Sequence, residues 1–89
     1  MAAIHYAGRR FDNMDDSEAA RLLALAQVAA DMNKCVSAVV KRREMAQGAD
    51  VVLLGPGMAV SAEVDNVATF WPELEARLTY FREARVIKS

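Results

Sequence analysis

Apolar positions recur at helical spacing in two long blocks of the chain, separated by a glycine-containing stretch. In the first block Leu25, Val28, Met32, Cys35 and Val39 step by three and four residues, and Leu22, Ala29, Val36 and Val40 widen the stripe. Gln27, Asp31, Lys34 and Lys41 fall on the other side. The block opens on Asp15, Asp16, Ser17 and Glu18 and closes on Lys41, Arg42 and Arg43 ahead of Gly48. Acids at the start and bases at the end complement a helix dipole, and no proline or glycine intervenes. The pattern predicts a first helix over 15–47, roughly 45 Å long at the helical rise.

In the second block Val60, Val64, Val67, Trp71, Leu74, Leu78 and Phe81 alternate steps of four and three, a coiled-coil-like seam. It predicts a second helix over 60–87, broken or kinked near Pro72, because an interior proline removes one helical hydrogen bond and clashes with the preceding turn. Residues 48–59 form the connection, with "LLGPGM" as a bend. A phosphate-binding loop would need a Gly-Lys-Ser/Thr ending that is not there. Met58, Val60, Ala62 and Val64 also alternate with polar or small neighbours, as a half-buried strand would, with "VVLL" as its partner. Residues 1–14 read as an arm, in which Ile4 and Tyr6 permit a short strand that Gly8, Arg9 and Arg10 interrupt.

The predicted architecture is therefore mainly α: one domain of two long antiparallel helices, a helical hairpin, with a short N-terminal arm. The alternative is a small α+β fold with a β-hairpin at about 50–65. Folding the hairpin about residue 53 brings Arg43 toward Glu63, Lys41 toward Asp65, Glu18 toward Lys88 and Arg21 toward Glu83 or Arg85, mostly opposite in sign. Such exposed pairs are worth ~0–1 kcal/mol each and choose orientation more than they stabilise.

Composition narrows the functional classes. Hydrophobic residues make up 54% of 89 residues, enough to fold but around a thin core. A formal net charge of -1 supplies no global field toward nucleic acid or anionic membrane. The single cysteine allows no internal disulfide and fits a reducing compartment. The most apolar run, 19–40, contains Arg21, Asp31 and Lys34, so no bilayer span is expected; no secretory signal is read, and a cytoplasmic location is expected.

Candidate chemistry is sparse. His5 is the only histidine and its neighbours in the arm offer no catalytic or metal-binding set. Cys35 lies on the apolar helix face and reads as packing. Asp15, Asp16 and Glu18 are better explained as capping than as a cation site. No catalytic residue, cofactor or metal is expected, and the chain reads as a non-enzyme.

Binding is the remaining class. Two helices cannot enclose a core alone, so leftover apolar surface calls for a homodimer or another protein. Leu25, Met32, Val39, Val67, Phe70, Trp71, Leu74, Leu78, Tyr80 and Phe81 are the candidate interface; Trp71 and Phe81 belong to the seam, while Phe70 and Tyr80 fall off it and are expected at the surface. The first functional reading is a non-enzymatic, self-associating helical adaptor, chaperone, inhibitor or accessory protein of phage or bacterial type. The alternative is a nucleic-acid-binding dimer that uses Lys41, Arg42 and Arg43, with Arg9 and Arg10 as a second basic pair. No motif is specific enough to assign a family.

Overall fold

A computed structural model describes residues 2–40, 50–57 and 59–84. The elements run β1 (Ala2–Tyr6), β2 (Arg9–Met14), α1 (Asp16–Asp31), β3 (Val36–Val40), β4 (Asp50–Leu54), β5 (Val60–Glu63) and α2 (Val67–Ala84). The mainly α helical hairpin is thus overturned: this is a small α+β fold with a three-stranded sheet ordered β2-β1-β5 and a two-stranded ribbon of β3 and β4, all pairs antiparallel. The β-hairpin foreseen within 50–65 does not form either. Strand β4 pairs with β3, and β5 pairs with β1.

The segment expected to be an arm is a hairpin over residues 2–14. Ala7 and Gly8 make its two-residue turn with φ of 52° and 78°, the left-handed pair that matches the twist of antiparallel strands. Alanine is an unusual occupant of the first position, since its Cβ crowds the following carbonyl there. Replacing Ala7 with Asn should raise stability by about 0.5–1 kcal/mol, read as a higher urea midpoint at unchanged slope; a loss would contradict the turn. Further along, the register slips by one residue between Ala2 and Ile4. That bulge lets Phe11 and Met14, three residues apart, both turn inward and be fully buried.

Helix α1 begins where the capping residues promised: the Asp15 carboxylate accepts from the Glu18 amide at 2.8 Å. It ends sixteen residues later, far short of residue 47, because Asn33 takes a left-handed φ of 54°. The Lys34 amide returns to the Ala29 carbonyl and the Asn33 amide to Ala30, the pair of bonds that closes a helix C-terminus. Past this stop, "VSAVV" is β-branched and alternates with period two. Ala38 and Val40 turn inward and Ser37 and Val39 outward, so Val39 leaves the helical stripe assigned to it. Residues 41–47 lie outside the described residues.

Helix α2 starts at Val67 under an Asn66 cap, whose side-chain oxygen accepts from the Ala68 amide at 3.0 Å. Pro72 is its sixth residue, and residues 60–63, assigned to the same helix by the seam, are strand β5. The two helices run the same way, opposite to the predicted hairpin. Asp16, at the start of α1, accepts from the Asp65 and Asn66 amides just before α2; Ser17 donates to Glu73 at 2.6 Å; and Asp31, at the end of α1, pairs with Arg82 at 2.7 Å near the end of α2. Of the foreseen charge pairs only Arg21 with Glu83 lies wholly among the described residues, and there Arg21 is held by Glu18 instead. Lys41, Arg43 and Lys88 lie outside the described residues, and Glu63 holds Arg10 and His5.

The parallel course has a topological reason. Three strands and their connections carry the chain back to the starting end of α1 before α2 begins. Helix α1 is then the centre of the molecule, with strands β1, β3, β4 and β5 against one part of its surface and α2 against another. Its alanine-rich sequence suits that position, since Ala19, Ala20, Leu22, Ala24, Leu25, Ala26, Val28 and Ala29 are all buried. The stripe positions that lie on α1, Leu22, Leu25, Val28 and Ala29, are therefore covered within one chain, while Cys35 and Val39 of the predicted stripe are exposed.

Candidate functional site

The ribbon is anchored at its base, and its last described pair stands at the other end. At the base, Cys35 and Gly55 approach so closely that a Cβ on Gly55 would lie 2.9 Å from the Cys35 sulfur. Pro56 and Gly57 then turn the chain toward β5, Gly57 with φ of 81°, as a bend with glycine in its second central position requires. At the tip the last pair is Val40 with Asp50. Lys41, Arg42 and Arg43 follow Val40 in sequence and lie outside the described residues.

Arg9 joins this tip from a distant part of the chain. It begins β2 just after the Ala7–Gly8 turn, and its guanidinium stands 3.6 Å from the Asp50 carboxylate. The same side chain lies over the Phe11 ring, 4.6 Å from ring centroid to guanidinium carbon, which holds it against the surface while leaving it exposed. Two more contacts fasten the ribbon. Arg21 of α1 donates to the Val39 carbonyl at 2.7 Å, and the Tyr6 hydroxyl donates to the Leu53 carbonyl. The ribbon's outward face carries Val39, Val51 and Leu53, with Val51 68% exposed, so the ribbon is apolar on both sides and covered on one.

A second polar group lies on the outer face of the three-stranded sheet. His5 stands opposite Arg10 on β2 and Ser61 on β5. Glu63 accepts from Arg10 at 3.0 Å and lies 3.3 Å from the His5 Nε2, while Arg10 also binds Asp12 at 2.7 Å. The Arg10 hydrogen bonds, then His5, hold the Glu63 carboxyl below its ordinary range. A carboxylate lowered in this way favours the folded state above its unfolded pKa, and that contribution is lost as pH falls through the folded value. Arg10 is thereby held by two acids, whereas Arg9 pairs with one, Asp50. Beside this cluster an open cleft of about 570 Å³ runs between the β1–β2 turn and Gly57, Ala59, Val60 and Ser61, with His5 on its wall. Among the described residues no three or more histidine, cysteine, aspartate or glutamate side chains converge as metal ligands, and no helix is long and apolar enough to cross a membrane.

The ten apolar candidates divide. Leu25, Phe70, Leu74 and Phe81 are buried in the core, and Met32 and Leu78 are packed against it. Val39, Val67, Trp71 and Tyr80 are exposed. Phe70 is 5% exposed and Trp71 56%, the reverse of the placement read from the seam. The reason is phase. The inward face of α2 is 70, 74, 77, 78 and 81, set by contact with α1, and the heptad count was carried in from 60–64, which is strand. Of the basic candidates, the structure brings Arg9 to the ribbon tip and takes Arg10 into the sheet cluster. Arg21, Tyr6 and Asp50 are not among the candidate site residues read from the sequence; their contacts span 18 to 47 residues, and no local pattern announces them. Cys35, read as buried packing on a helix, is exposed at the ribbon base. Comparison with protein-family models, with curated proteins and with solved structures gives no match.

Proposed function

We propose that the protein binds duplex nucleic acid through the tip of the β3–β4 ribbon, with Arg9, Lys41, Arg42 and Arg43 contacting phosphates. The observation that carries this reading is the 3.6 Å approach of Arg9 to Asp50, which sets a cation from the β1–β2 turn beside the strand ends that flank the Lys41–Arg43 sequence. Arg9 thus stands beside the strand ends from which the Lys41–Arg43 sequence continues in the chain, and phosphate binding calls for several cations on one face. A two-stranded antiparallel ribbon is also one of the shapes that the major groove of B-form DNA admits. No aromatic side chain lies among Lys41, Arg42 and Arg43 to stack unpaired bases, which favours a duplex over a single strand. The near-neutral net charge fits a local site rather than a molecule-wide field.

The test is binding to labelled duplex DNA and duplex RNA over a series of salt concentrations. The expected result is binding at low salt whose logarithm falls linearly with log salt, with a slope that Lys41→Ala/Arg42→Ala/Arg43→Ala reduces by up to about 3. Absence of binding at low salt, or a slope indifferent to the triple substitution, overturns the reading.

A non-enzymatic protein-interaction role is the second reading, and the exposed Val39, Val51 and Leu53 favour it. It predicts that Val51→Lys weakens a protein complex without touching the salt slope.

A further inference from the structure

Both long edges of the ribbon are touched by a side chain from elsewhere in the fold. The Val39 carbonyl, taken by Arg21, and the Leu53 carbonyl, taken by Tyr6, both point away from the partner strand. In the ribbon register Val39 faces Val51 and Ser37 faces Leu53. These are accordingly the non-bonded pairs of the antiparallel ladder, and on β3 the amides and carbonyls of Ser37 and Val39 are directed outward. Strand β3 has none of the usual protections within itself. Its five residues, "VSAVV", contain no charge and no proline, and its register with β4 has no bulge. Paired antiparallel with a copy of itself about Ala38, it would set Val36 against Val40 and Ser37 against Val39, four β-branched or small residues in mutually favourable pairs. The same pairing would join two exposed Val39, Val51 and Leu53 faces into one apolar sheet surface.

We infer that the outer edge of β3 is a latent strand-addition site for a second copy of this chain, and that Arg21 holds it closed. The Arg21 guanidinium occupies the Val39 acceptor at 2.7 Å and is itself steadied by Glu18 one helical turn away. It thereby removes one hydrogen bond that a β3–β3 ladder would use and places a solvated cation along the incoming strand's path.

The test compares solution molar mass by light scattering for the wild type, Arg21→Met and Arg21→Met/Ser37→Pro, each at several concentrations with circular dichroism to verify folding. Methionine keeps the stem of the side chain on α1 and removes the donor. Proline at 37 removes an outward amide that β4 does not use. The expected result is a mass that rises toward twice the wild-type value or more for Arg21→Met as concentration increases, and returns to the wild-type value in the double variant. A folded Arg21→Met with wild-type mass throughout overturns the inference, as does an increase that Ser37→Pro leaves in place. Should Arg21→Met fail to fold, Arg21→Ala gives the same comparison, since alanine suits a helix and also carries no donor.

Discussion

Replacing Phe70 with Ala should cost about 3–5 kcal/mol, while Trp71→Ala should cost less than about 1 kcal/mol. The two residues are neighbours on α2 and the larger ring belongs to the cheaper substitution. Phe70 is buried with Leu74 and Phe81 in the surface that α2 presents to the rest of the fold, and α1 is the element it meets most extensively. Removing its ring leaves a cavity that the alanines of α1 cannot fill by side-chain rotation. Trp71 keeps more than half of its surface in water and has little burial to lose. For a chain of this size the loss at Phe70 lowers the melting temperature on the order of 20 °C. Urea denaturation of the two variants reads the difference directly. Equal costs would return the helix to the phase of the heptad seam.

The second large effect lies at the other end of the chain. Phe11→Ala should also cost about 3–5 kcal/mol, although it stands in a segment that the sequence presents as an arm. Phe11 faces Ile4 across the β1–β2 ladder and is 1% exposed beneath the Arg9 guanidinium. Its removal undermines the three-stranded sheet and the seat of Arg9 together. Total stabilities near 5–15 kcal/mol make this a substantial fraction of what holds a small domain. Unchanged denaturation in Phe11→Ala would mean that residues 2–14 do not belong to the core.

How far the fold was legible depends on where each signal resides. The start of α1 was legible because capping is local, with Asp15 and Glu18 three residues apart. Its end was less so. Asn33 is a weak stop signal, and "CVSAVV" after it satisfies helical spacing and strand alternation alike; the β-branched run was the cue that should have counted more. Strand partners were not legible at all. Strand β1 pairs with β5 across more than fifty positions, and whether 50–54 would join 36–40 or 60–63 depends on packing against α1. The seam through 60–81 was regular because a strand and a helix happened to present compatible apolar steps, which displaced Phe70 and Trp71 from their true sides. Of the candidate site, the Lys41–Arg43 cluster was visible as a charge run, and Arg9 and Arg10 as a second pair. Their separation into a ribbon-tip cation and a sheet-bound one, made by Asp50 on one side and Asp12 with Glu63 on the other, required the tertiary structure.

The central claim is that Arg9 and the Lys41–Arg43 sequence serve one binding surface, and the salt dependence of Arg9→Gln tests it most directly. Glutamine retains a side chain that can lie over Phe11 and removes the charge. With labelled duplex DNA, the account predicts weaker binding and a log–log salt slope reduced by about 1 relative to wild type. Arg82→Gln, which removes a cation paired with Asp31 on α2, should leave the slope unchanged. A slope that Arg9→Gln leaves intact, or that both substitutions lower equally, would contradict the account.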